Sequence, residues 1–265
     1  VYRALVELLR EDGEQIDAIY ERNDVAIRTL EGLEQGKGFY QMEGLKTDLS
    51  GHVTITENRI KYDVDYMEGQ KTGFFLDQKY NRQAAAKLAR GRRVLDCFTH
   101  TGAFALNAAA AGAEHVTAVD VSAFALELAA ENGKRNGLTN LDYKCADVFD
   151  LLTEMAKEKK CDYDYIILDP PAFTKSRATA KNAYHGYKEI NMKAMRLLPR
   201  GGYLATCSCS HFMTDEMFRK MLQEAALDAG VTLRQIEARQ QAPDHPILPE
   251  VPETDYLKFY LLQVV

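Results

Sequence analysis

Short apolar runs alternate with helix-length segments from about residue 71 to the end of the chain. The strand predicted at 165–169 is apolar except for its last residue, as expected for a central strand that is buried on both faces. Six further strands are predicted at 93–96, 115–120, 141–145, 201–206, 231–238 and 257–264. Helices are predicted between them at 103–111, 122–136, 186–198 and 214–229. This order predicts an α/β, Rossmann-like fold with a seven-stranded, mostly parallel sheet.

The first 70 residues show a weaker pattern, in which glycines separate short apolar stretches. Strands are predicted at 25–27 and 53–55, and alternating apolar and polar residues predict another strand at 60–66. No arrangement of side chains in this segment suggests catalysis. We therefore predict a small α+β domain over residues 1–70, followed by a larger domain over residues 71–265.

Composition is consistent with one large and one small globular domain, since 46% of the 265 residues are hydrophobic and 27% are charged. No apolar run approaches the ~18 residues that span a bilayer, and no signal peptide opens the chain. Five cysteines without a Cys-X-X-Cys pair favour free thiols in the cytoplasm over a metal site. The chain opens at Val1 within a helix-like pattern, so we expect a fragment whose upstream domain is missing or disordered.

The turn after the first predicted strand of the larger domain is the clearest functional signal. Asp96 ends the strand, and small residues then allow the backbone to approach a ligand closely. The turn has a single glycine, so it lacks the Gly-X-Gly-X-X-Gly pattern that holds a dinucleotide pyrophosphate. An amino-acid-bearing nucleoside such as S-adenosylmethionine fits better. The predicted contacts are Asp96, Phe98, Thr99, Thr101 and Gly102.

Two more acids stand at the ends of the next two predicted strands. Asp120 follows Asp96 by 24 residues, a place where a carboxylate accepts hydrogen bonds from ribose hydroxyls. Asp147 ends the third strand, where an adenine amino group would lie. Each acid alone could instead cap a helix, but three at successive strand ends predict a cofactor site. The adjacent residues Val121 and Val148 are predicted to contact the same cofactor.

This arrangement resembles the class I S-adenosylmethionine-dependent methyltransferases over residues 71–265. The segment Asp-Pro-Pro-Ala-Phe at 169–173 strengthens the resemblance, because consecutive prolines form a stiff turn without N–H donors. In methyltransferases that act on nucleobases, such a turn lines the pocket of the target base. The resemblance implies that Asp169 binds the base edge and borders the cofactor. It implies that the base is also contacted by Pro170, Pro171 and Phe173.

The segment Thr-Cys-Ser at 206–208 follows the fifth predicted strand. Together with the turn at 169–173 and the segment 73–79, it resembles the bacterial large-subunit (23S) rRNA cytosine-C5 methyltransferase I family. Members of that family carry an N-terminal PUA domain, which this chain would lack. The resemblance implies Gln78 as a cofactor contact, Cys207 as the nucleophile and Cys209 as the reserve candidate.

A thiol suits this chemistry because C5 of cytosine is a poor nucleophile. Addition of a thiolate at C6 makes C5 electron-rich enough to take a sulfonium methyl group. A base then removes the C5 proton, and the thiol leaves. Many RNA cytosine methyltransferases carry a second cysteine after the two prolines. This chain has Ala172 there, so another group or water must remove the proton.

The net charge of −6 argues weakly against a nucleic-acid partner, but basic residues are concentrated in two windows. Residues 171–220 hold nine Lys or Arg and three acids, and residues 79–93 hold six basic residues and no acid. Solvated helix faces explain these windows about as well as a rim that faces phosphates. Lys175 and Tyr187, which follow the proline turn, are predicted to contact RNA, although a lid without an RNA role fits almost as well.

Two other functions fit the same residues. The proline turn is close to the one used by adenine-N6 methyltransferases, which methylate an exocyclic amine and need no cysteine. The second alternative is a non-catalytic module for RNA binding or ribosome assembly that has kept the methyltransferase fold. A nicotinamide oxidoreductase is disfavoured by the missing glycines. We expect RNA, and 23S rRNA in particular, as the partner, with the small domain as an RNA-binding or linking segment. We expect no membrane association and leave a homodimer open.

Overall fold

The computed structural model describes residues 1–158, 161–174 and 177–265. Eight α-helices lie within these ranges: α1 (Tyr2–Glu11), α2 (Ile27–Leu30), α3 (Lys79–Ala86), α4 (Ala103–Ala110), α5 (Ala123–Arg135), α6 (Val148–Glu158), α7 (Ala180–Leu197) and α8 (Asp215–Ala229). Eleven strands lie there too: β1 (Tyr20–Arg22), β2 (Lys37–Phe39), β3 (His52–Glu57), β4 (Ile60–Asp65), β5 (Arg93–Cys97), β6 (His115–Asp120), β7 (Leu141–Cys145), β8 (Tyr165–Leu168), β9 (Tyr203–Ser208), β10 (Leu233–Arg239) and β11 (Lys258–Val264). None of the described helices is both long enough and apolar enough to cross a membrane.

The central sheet has seven strands in the order β10-β11-β9-β8-β5-β6-β7. The strands from β5 to β9 run parallel, and β11 and β10 continue the sheet in antiparallel pairings. The predicted α/β fold with a seven-stranded, mostly parallel sheet is therefore confirmed. All four residues of β8 are buried, as the apolar sequence of that strand predicts.

The strand order reverses beside β5, the first strand of the sheet. β6 and β7 lie on one side of β5, and β8 and β9 lie on the other. Cys97 at the end of β5 is level with Val119 of β6 and Leu168 of β8. Residues that follow these three strands therefore meet at one crevice. In open α/β sheets, ligands bind in the crevice at this reversal point.

Two hydrophobic cores cover the two faces of the sheet. Alternate residues of β5 and β8 point to opposite faces, with Leu95 and Ile166 in one core and Val94 and Tyr165 in the other. The first core includes residues of α7 and α8, and the second includes alanines of α3 and α4. Small side chains allow α3 and α4 to lie close to the sheet.

The chain divides into two compact units. One contains residues 1–55 and 63–75, and the other contains residues 56–62 and 76–265. The division therefore runs through the hairpin of β3 and β4, whose tip belongs to the larger unit. A boundary between independent domains at residue 70 stays a prediction.

In the smaller unit, β1 and β2 form an antiparallel pair with Tyr20 opposite Phe39. The strand predicted at 25–27 is wrong, because this segment leads into the short helix α2. The N–H of Arg28 donates to the carbonyl oxygen of Val25 at 3.2 Å, which closes a turn in place of a strand pairing. Three apolar residues in a row do not distinguish a strand from the start of a helix.

Candidate active site

The turn between β5 and α4 has an unusual backbone. Phe98, His100 and Gly102 have positive φ angles of 63°, 51° and 84°, a region that residues other than glycine rarely adopt. A Cβ atom on Gly102 would lie 2.9 Å from the Cβ atom of Ala129 in α5. Glycine at this position therefore allows close packing against α5 as well as the turn itself. Strained backbone of this kind clusters at binding sites. The two predicted threonines of the turn, Thr99 and Thr101, are both buried.

Asp96 is fully buried, and its two oxygen atoms have different environments. Oδ2 accepts hydrogen bonds from the Thr99 hydroxyl at 2.5 Å and from the Ala105 N–H at 2.9 Å. Oδ1 is buried and has no hydrogen-bond partner among the described residues. Burial raises the pKa of Asp96 to about 7, and the nearby charges of Asp169 and Asp120 act in the same direction. An unpaired buried oxygen atom is suited to a donor group of a ligand.

Asp120 ends β6 beside this turn. Its Oδ2 accepts the N–H of His100 at 2.8 Å, and its Oδ1 accepts the N–H of Ser122 at 2.9 Å. Each carboxylate oxygen keeps a second lone pair that a ribose hydroxyl can use. Val121 follows with 72% of its surface exposed. Asp120 and Val121 together offer a hydrogen-bonding edge and an apolar surface, as predicted for a nucleoside site.

Asp147 follows β7 and caps α6. Its Oδ1 accepts the N–H groups of Phe149 at 2.8 Å and Asp150 at 3.1 Å, which is the capping role that its sequence position also allowed. Val148 is 3% exposed and its side chain lies in the core. Its contact with a cofactor stays a prediction. The half-buried Phe149 has its ring centroid 5.7 Å from that of Phe173. Sequence reasoning missed Phe149, although an aromatic residue so soon after a strand-end acid is a usable signal.

Asp169 follows β8 on the other side of the crevice. Its Oδ1 accepts a hydrogen bond from Gln78 Nε2 at 2.9 Å, and Gln78 Oε1 accepts one from Asn81 Nδ2 at 2.7 Å. Gln78 is 3% exposed, so in this arrangement its amide holds Asp169 and does not face a cofactor as predicted. Burial raises the pKa of Asp169 to about 6. The fold thus brings Asp96, Asp120 and Asp169 together at the strand ends.

The two cysteines near the end of β9 have opposite environments. Cys207 is fully buried, and its thiol hydrogen-bonds with Asp169 and Gln78. Burial raises the pKa of Cys207 well above its usual value. Cys209 lies after the last residue of β9, is half-buried, and has its sulfur 3.9 Å from the carbonyl oxygen of the buried Pro170. The predicted preference for Cys207 is not supported, because a buried thiol neither ionises readily nor reaches a substrate.

Phe173, at the end of the proline turn, belongs to an aromatic group at the crevice. Its ring centroid lies 4.5 Å from that of Tyr187 and 6.5 Å from that of Phe98. Pro171 is exposed and available to a substrate. Tyr187 is fully buried in the core, and its contact with RNA stays a prediction. Lys175, the other predicted RNA contact, lies outside the described residues.

Several basic side chains of the two basic windows are paired with acids. On α7 and α8 the ion pairs are Lys188 with Asp228 at 2.9 Å, Lys193 with Glu189 at 2.5 Å and Arg219 with Asp215 at 2.7 Å. Arg92 pairs with Asp164 near the amino end of β5. The crevice lies at the carboxyl ends of the strands, so this ion pair is at the opposite end of the sheet. These ion pairs favour the interpretation of solvated helix faces for these residues, and a rim that faces phosphates stays a prediction.

The strand order and the acids at the carboxyl ends of β5 and β6 define a class I methyltransferase domain. Residues 40–263 match the family model of the S-adenosylmethionine-dependent methyltransferases. The chain belongs to this family, and its cofactor is S-adenosylmethionine.

Curated relatives have a more specific name. The chain is 46% identical over 249 residues to Ribosomal RNA large subunit methyltransferase I of Photobacterium profundum, which covers 93% of this chain and 62% of that protein. It is 47% identical over 244 residues to the protein of the same name from Aeromonas hydrophila, with 91% of this chain and 60% of that protein covered. The chain thus spans 60–62% of the length of these relatives.

Solved structures show the same fold. A protein from Streptococcus mutans, provisionally assigned as a SAM-dependent methyltransferase, is 26% identical with a TM-score of 0.75 over 86% of this chain and 58% of that chain. A second structure with a TM-score of 0.75 is 25% identical over 86% of this chain and 59% of that one. That second protein, likewise provisionally assigned as a methyltransferase, is complexed with SAH.

The residues at the crevice fit S-adenosylmethionine. The buried, unpaired Oδ1 of Asp96 suits the amino group of the methionine moiety. Asp120 keeps lone pairs for the ribose hydroxyls, and the exposed Val121 offers an apolar surface for the adenine ring. These three residues come from two neighbouring strand ends, so one bound molecule can reach all of them.

Proposed function

We propose that this chain is the catalytic part of an RNA methyltransferase that methylates C5 of a cytosine in 23S ribosomal RNA through a covalent adduct with Cys209. The observation that carries the proposal is the half-buried Cys209 thiol beside the proline turn, 3.9 Å from the carbonyl oxygen of Pro170. The name of the curated relatives supports a ribosomal RNA substrate. The Asp-Pro-Pro-Ala-Phe sequence of the turn supports a nucleobase as the acceptor.

Cys209 carries the covalent step in this proposal. Its thiolate adds to C6 of the cytosine, forming a C–S bond and moving the π electrons of the ring toward C5 and N3. Bound S-adenosylmethionine supplies an electrophilic methyl group for C5. Loss of the C5 proton to a base then restores the double bond and expels the Cys209 sulfur. Water or a side chain must accept that proton, because Ala172 stands where a second cysteine would.

Asp169 holds the target base. Because burial raises the pKa of Asp169 to about 6, a minor fraction of its carboxyl groups is protonated at neutral pH. The ionised form accepts a hydrogen bond from the exocyclic amine, and the protonated form can donate to N3 as negative charge develops there. Gln78 fixes the side chain of Asp169 for this role.

The matched cysteines provide the test. We expect Cys209→Ala to lower tritium release from C5-labelled cytosine in 23S rRNA by about 10³-fold or more, because the covalent route is lost. Cys207→Ser is the control and should keep turnover within a few-fold, since a hydroxyl group can keep the hydrogen bonds of the buried thiol with Asp169 and Gln78. Undiminished tritium release by Cys209→Ala would reject the covalent mechanism. Methyl transfer to RNA without any tritium release would instead favour methylation of an exocyclic amine.

RNA is the proposed partner through this site. A cytoplasmic location stays a prediction from the sequence, and a homodimer stays open.

A further inference from the structure

Lys258 lies beside the proposed nucleophile, on the strand next to β9. It is opposite Ser208 in the antiparallel pairing of β11 with β9, and Ser208 directly precedes Cys209. The side chain is buried, with only 4% of Lys258 exposed. Its Nζ donates to the carbonyl oxygen of Ser210 at 2.6 Å and to that of Tyr256 at 2.8 Å. A buried ammonium group is thus tied to the residue that directly follows Cys209.

We propose that Lys258 is a positioning residue that holds the segment 209–210 and stabilises the Cys209 thiolate with its charge. This inference rests on the proposed role of Cys209 as the nucleophile. When the Cys209 thiol ionises, its proton passes to water, and the positive charge of Lys258 favours the sulfur anion that remains.

A buried lysine needs compensation for the loss of water around its charge. Two of its three N–H donors are satisfied by the carbonyl groups of Ser210 and Tyr256. Burial lowers the pKa of Lys258 to about 8, whereas negative charges on Asp255, Cys209 and Asp215 raise it. Electrostatic coupling is reciprocal, so an ammonium group that is favoured by a Cys209 thiolate favours that thiolate to the same extent.

Other titratable groups also face this pair. Tyr187 of α7, Cys207 of β9 and Tyr256 before β11 interact with Cys209, and burial raises the pKa of each of the three. All three are therefore uncharged at neutral pH and do not stabilise an anion by charge. The acids Asp215 and Asp255 face Lys258 and help to keep it protonated.

The test measures the reactivity of the Cys209 thiol directly and does not depend on enzymatic turnover. The full chain is alkylated with iodoacetamide between pH 6 and pH 10, and the rate at each cysteine is followed by mass spectrometry of its peptide. The exposed Cys145 is the internal reference. We expect Lys258→Met to slow alkylation of Cys209 about tenfold at pH 7, which corresponds to a rise of about one unit in its pKa, and to leave the rate at Cys145 unchanged. Lys258→Arg, which keeps the charge, should retain most of the wild-type rate.

Equal rates of Cys209 alkylation in the wild type and in Lys258→Met would overturn the inference. If Lys258→Met does not fold, the wild-type profile decides. An alkylation midpoint for Cys209 below the ~8.5 of an ordinary cysteine supports a stabilised thiolate, and one at or above that value overturns it. The two proposals fail separately. Tritium release by Cys209→Ala decides the catalytic role of Cys209, whereas the alkylation profile decides the role of Lys258.

Discussion

Asp96 has one oxygen atom that holds the fold and one that is available to a ligand. Oδ2 fixes the turn through Thr99 and Ala105, and Oδ1 is unpaired within the described chain. Because burial raises its pKa to about 7, the side chain is neutral below that pH and charged above it. The charged form would attract the cationic amino group of S-adenosylmethionine, which would link ligand binding to the ionisation of Asp96.

We predict that the affinity of the protein for S-adenosylmethionine rises about tenfold between pH 6 and pH 8. The ionised fraction of a carboxyl group with a pKa of about 7 grows from ~0.1 to ~0.9 over this range. Calorimetric titration at the two pH values measures the effect. Asp96→Asn should bind more weakly and lose this pH dependence. An unchanged wild-type affinity between the two values would contradict the linkage.

The sequence pattern does not predict which of Cys207 and Cys209 is accessible. Residues two positions apart in a strand point to the same face, so a strand through both cysteines would give them similar environments. β9 ends at Ser208, however, and Cys209 leaves the core. The pattern predicts that a strand is present but not which residue ends it. The sequence therefore predicted the segment of the proposed nucleophile but not which of its two sulfur atoms is accessible.

At the scale of elements, the inner strands β6 and β8 of the central sheet were predictable because they are buried on both faces. The prediction at 165–169 matches β8 to within one residue, and the run at 115–120 matches β6. Helices are harder to bound where apolar periodicity fades. α7 begins at Ala180, several residues before the predicted helix at 186–198, because the segment Ala-Lys-Asn-Ala-Tyr-His carries little apolar pattern.

Packing of α4 against α5 depends on one glycine. We predict that Gly102→Ala lowers the free energy of unfolding by about 2–4 kcal/mol, through the cost of a left-handed alanine and a clash with Ala129. The matched control is Gly137→Ala, since Gly137 has a φ of +66° but no atom within 4 Å of the added Cβ. The Gly137→Ala substitution should lower the free energy of unfolding by only about 1–2 kcal/mol. Urea unfolding measures both, and equal costs would mean that the contact with Ala129 relaxes freely.

At the scale of the whole molecule, the hairpin tip at 56–62 belongs to the larger unit. Glu57 accepts two hydrogen bonds from Arg82, from Nε at 2.7 Å and from Nη2 at 2.9 Å. Arg82 is 2% exposed, so removal of Glu57 would break an ion pair inside the core. A cut at residue 70, the domain boundary predicted from the sequence, would remove Glu57. Local sequence patterning did not reveal this contact, because its two residues are 25 positions apart.

We predict that a chain beginning at residue 71 is less stable than one beginning at residue 56 by at least about 3–5 kcal/mol, the cost of breaking a buried ion pair. The two truncated chains differ by the hairpin tip and the segment 63–70, so Glu57→Gln in the longer chain isolates the ion pair. Urea unfolding measures the free energy of unfolding of the two truncated chains and of the Glu57→Gln variant. Equal stability of the two truncated chains would show that the larger unit does not need residues 56–62.

Strand order also bears on how the protein is made. β11 lies between β9 and β10, although it is synthesised after both. β10 therefore has no neighbour in the sheet until residues 258–264 have emerged from the ribosome, and Lys258 arrives with them. Folding during translation can build the crevice from β5 to β8 early, but it cannot finish the side that carries Cys209.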